Sequence, residues 1–189
     1  MTGAVLAGGS GRRMAAGGRR SKPSAMLAGR PLVSYPLAAL TAVCERVAVV
    51  CKAATKLPPL DGVERWDEPD KPRHPLTGIV HALECAGGPV LVCAADMPFV
   101  TSDACKTLLQ AVGSRDSAPV VVAAAGGVLQ PVFGLYAPAA LEGLRAAEPD
   151  APLTATIEAL DPVRVALPPS LVRSVNTPEE LAEAEAQLA

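Results

Sequence analysis

Residues 4–32 read AVLAGGSGRRMAAGGRRSKPSAMLAGRPL, and this stretch decides the fold. Its apolar run 4–7 is strand-like and breaks at Gly8-Gly9. A basic, glycine-rich turn follows with Arg12 and Arg13, and Lys22 precedes a helix expected to start at Pro31. Strand, glycine loop and helix in that order make a phosphate-handling unit. Glycines there admit positive φ and let an anion reach backbone N–H groups that a side chain would cover. Arg12, Arg13 and Lys22 supply the positive charge that a triphosphate needs for neutralisation. No Gly-Lys-Ser/Thr closes the loop and the spacing is not Gly-x-Gly-x-x-Gly, so it is neither a Walker loop nor a dinucleotide fingerprint. Taken alone, a solvated Gly/Arg turn without a ligand is the competing reading.

Outward from this unit, strand and helix patterns alternate. Residues 31–43 put Leu32, Leu37 and Leu40 on a helical face, with Pro36 bending the helix or shifting its start. The β-branched run 45–52 reads as a strand buried on both sides, and 63–66 as a short extended piece. The charged, proline-broken segment 67–75 reads as an exposed loop. A helix over 75–86, a strong strand over 89–94 and a helix capped by Thr101 or Ser102 follow. Strands are expected over 119–124, 129–136 and 163–167, helices over 138–147 and 153–160, and extended chain over 171–175. Pro131 implies that the 129–136 strand starts late or lies at a sheet edge. In the closing helix Thr177 caps, Pro178 occupies the first turn and Glu180 completes a capping box.

Repeated strand–helix units predict an α/β fold: a three-layer αβα, Rossmann-like arrangement around a mostly parallel sheet. At 189 residues, with no internal repeat or linker, the chain is expected to be a single domain over 1–189. In such sheets ligands bind outside the carboxyl ends of the strands. The loop after the first strand, residues 51–53, Asp96 and the loop after residue 136 therefore share one rim. Asp96 follows directly on an apolar strand, and a hard oxygen ligand there suits Mg²⁺, which takes the rest of its shell from water and phosphate. A turn aspartate that merely stabilises its loop is the alternative.

Composition narrows the function classes. Half the residues are apolar, which argues against disorder, and only 3% are aromatic, so Ala, Val and Leu must pack the core. A formal net charge of −2 argues against a nucleic-acid binder with a broad basic surface. The cysteines, at 44, 51, 85, 93 and 105, form no C-x-x-C pair and read as free thiols in a reducing compartment. No run approaches the ~20 apolar residues of a membrane span, and a cytoplasmic location is expected.

Leu6-Ala7-Gly8-Gly9, then Arg13-Met14, Lys22 and Gly29-Arg30-Pro31-Leu32, resemble the signature of the MobA-type molybdenum cofactor guanylyltransferases. The likeness continues through Pro75-Leu76-Thr77-Gly78, Asp96-Met97-Pro98-Phe99, the 130–136 segment Gln-Pro-Val-Phe-Gly-Leu-Tyr, and Asn176-Thr177-Pro178. The fold implied is that of the nucleotide-diphospho-sugar transferases. The activity implied is transfer of GMP from GTP to the terminal phosphate of molybdopterin or the molybdenum cofactor, with release of pyrophosphate. GTP and that cofactor are thus the implied partners, with transient contacts to other proteins of the pathway.

Residue by residue, the resemblance implies catalytic roles for Arg13, Lys22 and Asp96, with Asp96 holding Mg²⁺. It implies nucleotide contacts at Leu6, Ala7, Gly8, Gly9, Lys22, Cys51, Asp67 and Asp96, and acceptor contacts at Gln130 and Asn176. Asp67 has the family spacing and Asp70 is a nearby rival. Three departures stand out: Cys51 where the family often has asparagine, His74 where it has glycine, and Ser174 where it has a further asparagine. A cytidylyl- or sugar-1-phosphate nucleotidyltransferase, or a nucleotide-binding module without catalysis, are the alternative readings.

Overall fold

The computed structural model describes residues 1–8, 22–113, 118–148 and 151–188. Its elements in chain order are β1 (Thr2–Leu6), β2 (Met26–Leu27), β3 (Arg30–Pro31), α1 (Ser34–Thr41), β4 (Arg46–Lys52), β5 (Glu64–Glu68), α2 (Pro75–Ala86) and β6 (Val90–Ala94). They continue with α3 (Ser102–Gln110), β7 (Val120–Ala125), β8 (Val128–Tyr136), α4 (Leu141–Ala146), α5 (Leu153–Glu158), β9 (Val163–Ala166) and α6 (Pro178–Leu188).

Seven of these strands form one sheet in the order β5-β4-β1-β6-β8-β7-β9, and β2 pairs with β3 in a small hairpin. β1 lies parallel between β4 and β6, with Thr2 opposite Arg46 on one side and Val90 on the other. β8 runs antiparallel to both its neighbours, and β9 returns parallel to β7. Apolar side chains alternate between two cores because successive strand residues face opposite sides of the sheet. Val5, Val49 and Cys93 face α1 and α3, whereas Ala4, Val50 and Val92 face α2, α4 and α5. The result is the expected three-layer α/β architecture. From β1 the chain steps outward to β4 and β5, then returns to β6 on the opposite side of β1. The strand order thus reverses between β1 and β6, the position where doubly wound sheets hold nucleotides.

Expectations on four points are corrected. The loop after residue 136, expected on the ligand rim, leaves from the opposite edge, because β8 runs antiparallel and sets Tyr136 beside Val90, the first residue of β6. β8 begins at Val128 and lies inside the sheet, between β6 and β7. Pro131 is accommodated there by a register shift, since Val122 pairs with Gly134 but Ala123 pairs with Gln130. The ladder is interrupted where proline has no N–H to give. α1 starts at Ser34, which leaves Pro36 in its first turn, where the missing N–H costs no helical bond. β5 extends to Glu68, so the segment expected to be loop from residue 67 begins as strand, paired with Cys51 and Lys52.

Candidate active site

The strand exits at the reversal point remain tied together. Ala7 N–H donates to the Val50 carbonyl at 2.8 Å, and Ala95 N–H donates to the Leu6 carbonyl at 2.9 Å. Asp96 therefore leaves β6 directly beside the end of β1. Its own carbonyl accepts from Val175 N–H at 2.8 Å, which draws the approach to α6 onto the same rim.

Lys22 reaches this rim from a 3-10 turn, Lys22–Ser24, whose Pro23 is buried. Hydrogen bonds from Leu32 N–H to the Ala25 carbonyl (2.7 Å) and from Val33 N–H to the Pro23 carbonyl (3.2 Å) fix the turn against the start of α1. The Lys22 ammonium contacts Asp96 Oδ2 and donates to Asn176 Oδ1 at 2.7 Å. The lysine and aspartate side chains are only 15% and 21% exposed, so this ion pair is screened less than a surface pair. Asn176 is held in turn by the expected capping box. Glu180 Oε2 accepts from Asn176 N–H at 2.5 Å and Thr177 N–H at 3.2 Å, and Glu180 N–H donates to Thr177 Oγ1 at 3.2 Å.

The other sequence-derived residues divide. Leu6, Ala7 and Gly8 form the β1 exit, whereas Gly9 and Arg13 lie outside the described residues. Cys51 is the penultimate residue of β4, its thiol packed in the core that faces α1, and burial pushes that thiol above its ordinary range. A thiol placed there leaves only main-chain groups at this position for a ligand. Gln130 stands at the start of β8, which projects past the Cys93–Phe133 pair onto the same rim. Asp67 is exposed and paired with Arg65 at 2.7 Å, and Asp70 is exposed. Arg65 also donates to the carbonyls of Lys52, Ala53 and Thr55, so this pair ties β5 to the turn after β4. His74 is the α2 N-cap, its Nδ1 accepting from Leu76 N–H at 3.3 Å.

The carboxylate that faces Gly8 is Glu68, one residue beyond Asp67. Its side chain is 4% exposed, and Oε1 lies 3.3 Å from Lys52 Nζ, which also donates to the Pro69 carbonyl. A Cβ on Gly8 would overlap Glu68 Oε1, and one on Gly78 would come within 3.1 Å of Oε2. Glycine at these two positions is what lets a buried carboxylate sit between the β1 exit and α2. The sequence signal was alternation: Val50 and Lys52, like Trp66 and Glu68, fall on one face of adjacent strands.

Among the described residues no group of three or more His, Cys, Asp or Glu side chains converges as a closed metal cage. Asp96 Oδ2 and Asn176 Oδ1 instead offer two hard oxygens around a single cation, which fits an ion that draws its remaining ligands from water and phosphate.

Sheets of this strand order hold nucleotides at the reversal, and a lysine and a carboxylate there serve polyphosphate chemistry: the class is a nucleotide-dependent transferase. Residues 3–163 match the model of the MobA-like NTP transferase domain, and the chain belongs to that family. It is therefore a nucleotidyltransferase. It is 33% identical to the molybdenum cofactor guanylyltransferase of Cereibacter sphaeroides, over 98% of this chain and 96% of that protein. Its fold is shared with molybdopterin-guanine dinucleotide biosynthesis protein A from Archaeoglobus fulgidus: TM-score 0.75, 24% identity, 100% of this chain and 98% of that one. It is shared also with the 2-C-methyl-D-erythritol 4-phosphate cytidylyltransferase of Thermus thermophilus: TM-score 0.72, 18% identity, 98% and 97%.

Proposed function

We propose that this chain transfers GMP from GTP to the terminal phosphate of molybdopterin or the molybdenum cofactor. The observation that carries the mechanism is the convergence of Lys22, Asp96 and Asn176 where the strand order reverses. The relatives' activity, over nearly the whole chain length, supports the donor and acceptor. An oxygen of the acceptor's terminal phosphate attacks the α-phosphorus of GTP, and the bond to the bridging oxygen of pyrophosphate breaks. The attacking phosphate is already ionised, so positioning and charge stabilisation carry the rate and no strong general base is needed. Lys22 stabilises the charge that builds on the α-phosphate and the leaving group. Main-chain groups at 6–8, together with Gly9 and Arg13, which lie outside the described residues, hold the nucleotide, and Gln130 and Asn176 face the acceptor. Asp96 would hold Mg²⁺, which when bound neutralises the polyphosphate. The free cysteines suit a reducing cytoplasm.

The test is pyrophosphate release from a panel of GTP, CTP, ATP and UTP with molybdopterin as acceptor. Release with GTP alone supports the reading. Release with CTP in preference to GTP would replace it with a cytidylyltransferase.

A further inference from the structure

Lys22 occupies the place of a cation. Its ammonium lies between two oxygens supplied by segments far apart in the chain, Asp96 Oδ2 and Asn176 Oδ1. Both residues are tied down through the main chain that carries them: the Asp96 carbonyl accepts from Val175 N–H, and Asn176 N–H donates to Glu180. The lysine, by contrast, hangs on a flexible four-carbon stem with freely rotating donors. A divalent ion approaching Asp96 would meet an ammonium already in contact with the carboxylate, and like charges at that separation repel strongly in a half-buried site. The group able to yield is the lysine.

We propose that Asp96 Oδ2 and Asn176 Oδ1 form one seat that the Lys22 ammonium and a divalent cation occupy in turn. Arrival of the metal then releases Lys22 toward the phosphates of the bound nucleotide. The nucleotide-free protein keeps the two oxygens paired through its own lysine, and the catalytic cation becomes available only when the metal has taken its place. This rests on the reading of Asp96 as the metal ligand, and it adds that Lys22 and the metal exclude one another.

Mn²⁺ titrated into nucleotide-free protein, followed through the electron paramagnetic resonance of the free ion, tests this exclusion. Lys22→Met is expected to bind Mn²⁺ at least about tenfold more tightly than the wild-type chain, because a charge-assisted competitor is gone. A second measurement needs no variant: reductive methylation of Lys22, read by peptide mass spectrometry, speeds up in the wild-type chain when Mn²⁺ saturates it. Equal or weaker Mn²⁺ binding by Lys22→Met, or methylation of Lys22 unchanged or slowed by Mn²⁺, overturns the proposal. Absence of Mn²⁺ binding in both chains overturns it as well. Neither measurement contains a nucleotide or an acceptor, so a chain that transfers a different nucleotide still passes. Failure of the guanylyl reading is seen separately, in pyrophosphate release.

Discussion

Gly8→Ala tests whether the exit of β1 is seated on a buried carboxylate. The new methyl would overlap Glu68 Oε1 and lie 3.0 Å from Cδ, so one group must move. The carboxylate has little room: Lys52 holds Oε1, and Gly78 lies close against Oε2. Overpacking a filled site costs about 1–3 kcal/mol. Complete loss of a buried ion pair would cost about 3–5 kcal/mol, but Lys52 keeps the Pro69 carbonyl as a second acceptor, which favours the lower range. The expected destabilisation is about 2 kcal/mol on these grounds. Urea unfolding followed by fluorescence measures it, and Trp66, the one tryptophan, reports from two residues before Glu68. Glu68→Ala alone is also destabilising, since it removes the carboxylate partner of Lys52. It vacates the space the methyl needs, however, so Gly8→Ala added to Glu68→Ala should cost under ~0.5 kcal/mol, a coupling of at least ~1 kcal/mol. Strictly additive costs, or a Gly8→Ala single variant within ~0.5 kcal/mol of wild type, would refute the reasoning.

Lys22→Ala and Asp96→Ala should each lower turnover by at least ~100-fold, the scale of losing one preorganised charge-stabilising contact; near-normal pyrophosphate release by either variant removes it from the mechanism. Glu180→Ala deletes the acceptor for two backbone N–H groups at the start of α6 and should cost about 1 kcal/mol in urea unfolding. Burial raises the Cys44 thiol to about 11 and the Cys105 thiol to about 12, from an ordinary 9.0. Above pH 9 the unfolded chain therefore loses protons that the folded one keeps. Stability is whole below that pH and drains away as pH climbs through the folded values; melting temperatures from pH 8 to 11 should fall, less steeply in Cys105→Ala.

Much of this site is legible in the sequence, and the rest is hidden for physical reasons. An apolar strand with Asp96 two residues past its end announces a carboxylate at the ligand edge, because burial on both faces requires a sheet interior. The Thr177–Glu180 cap is equally plain, since its chemistry is local. Glu68 is hidden because its neighbours, Asp67, Pro69 and Asp70, have the composition of a loop. Only parallel pairing with β4, a long-range event, carries the strand one residue past Asp67 and buries the next carboxylate beside Lys52. Pro131 misleads for a related reason. Its missing N–H argues for an edge, but a register shift satisfies the same constraint inside the sheet. Propensity reports what a residue cannot donate, and tertiary structure decides where that lack does no harm.

The match to the family's domain model ends at residue 163, yet the cluster around Lys22 draws on residues beyond it. Asn176 reaches Lys22 across 154 residues of chain, and what holds the two ends together is a small third core of Leu27, Leu32, Val175 and Ala184. The β2–β3 turn is also tied to α6 by a hydrogen bond from Ala28 N–H to Glu185 Oε1 at 3.1 Å. Lys22 and Asn176 are thus positioned by the same few contacts, outside the two main cores that stabilise the sheet. A core of that size opens at a lower free energy than the sheet does. In this fold the sheet fixes where Asp96 stands, and the docking of α6 fixes what it faces.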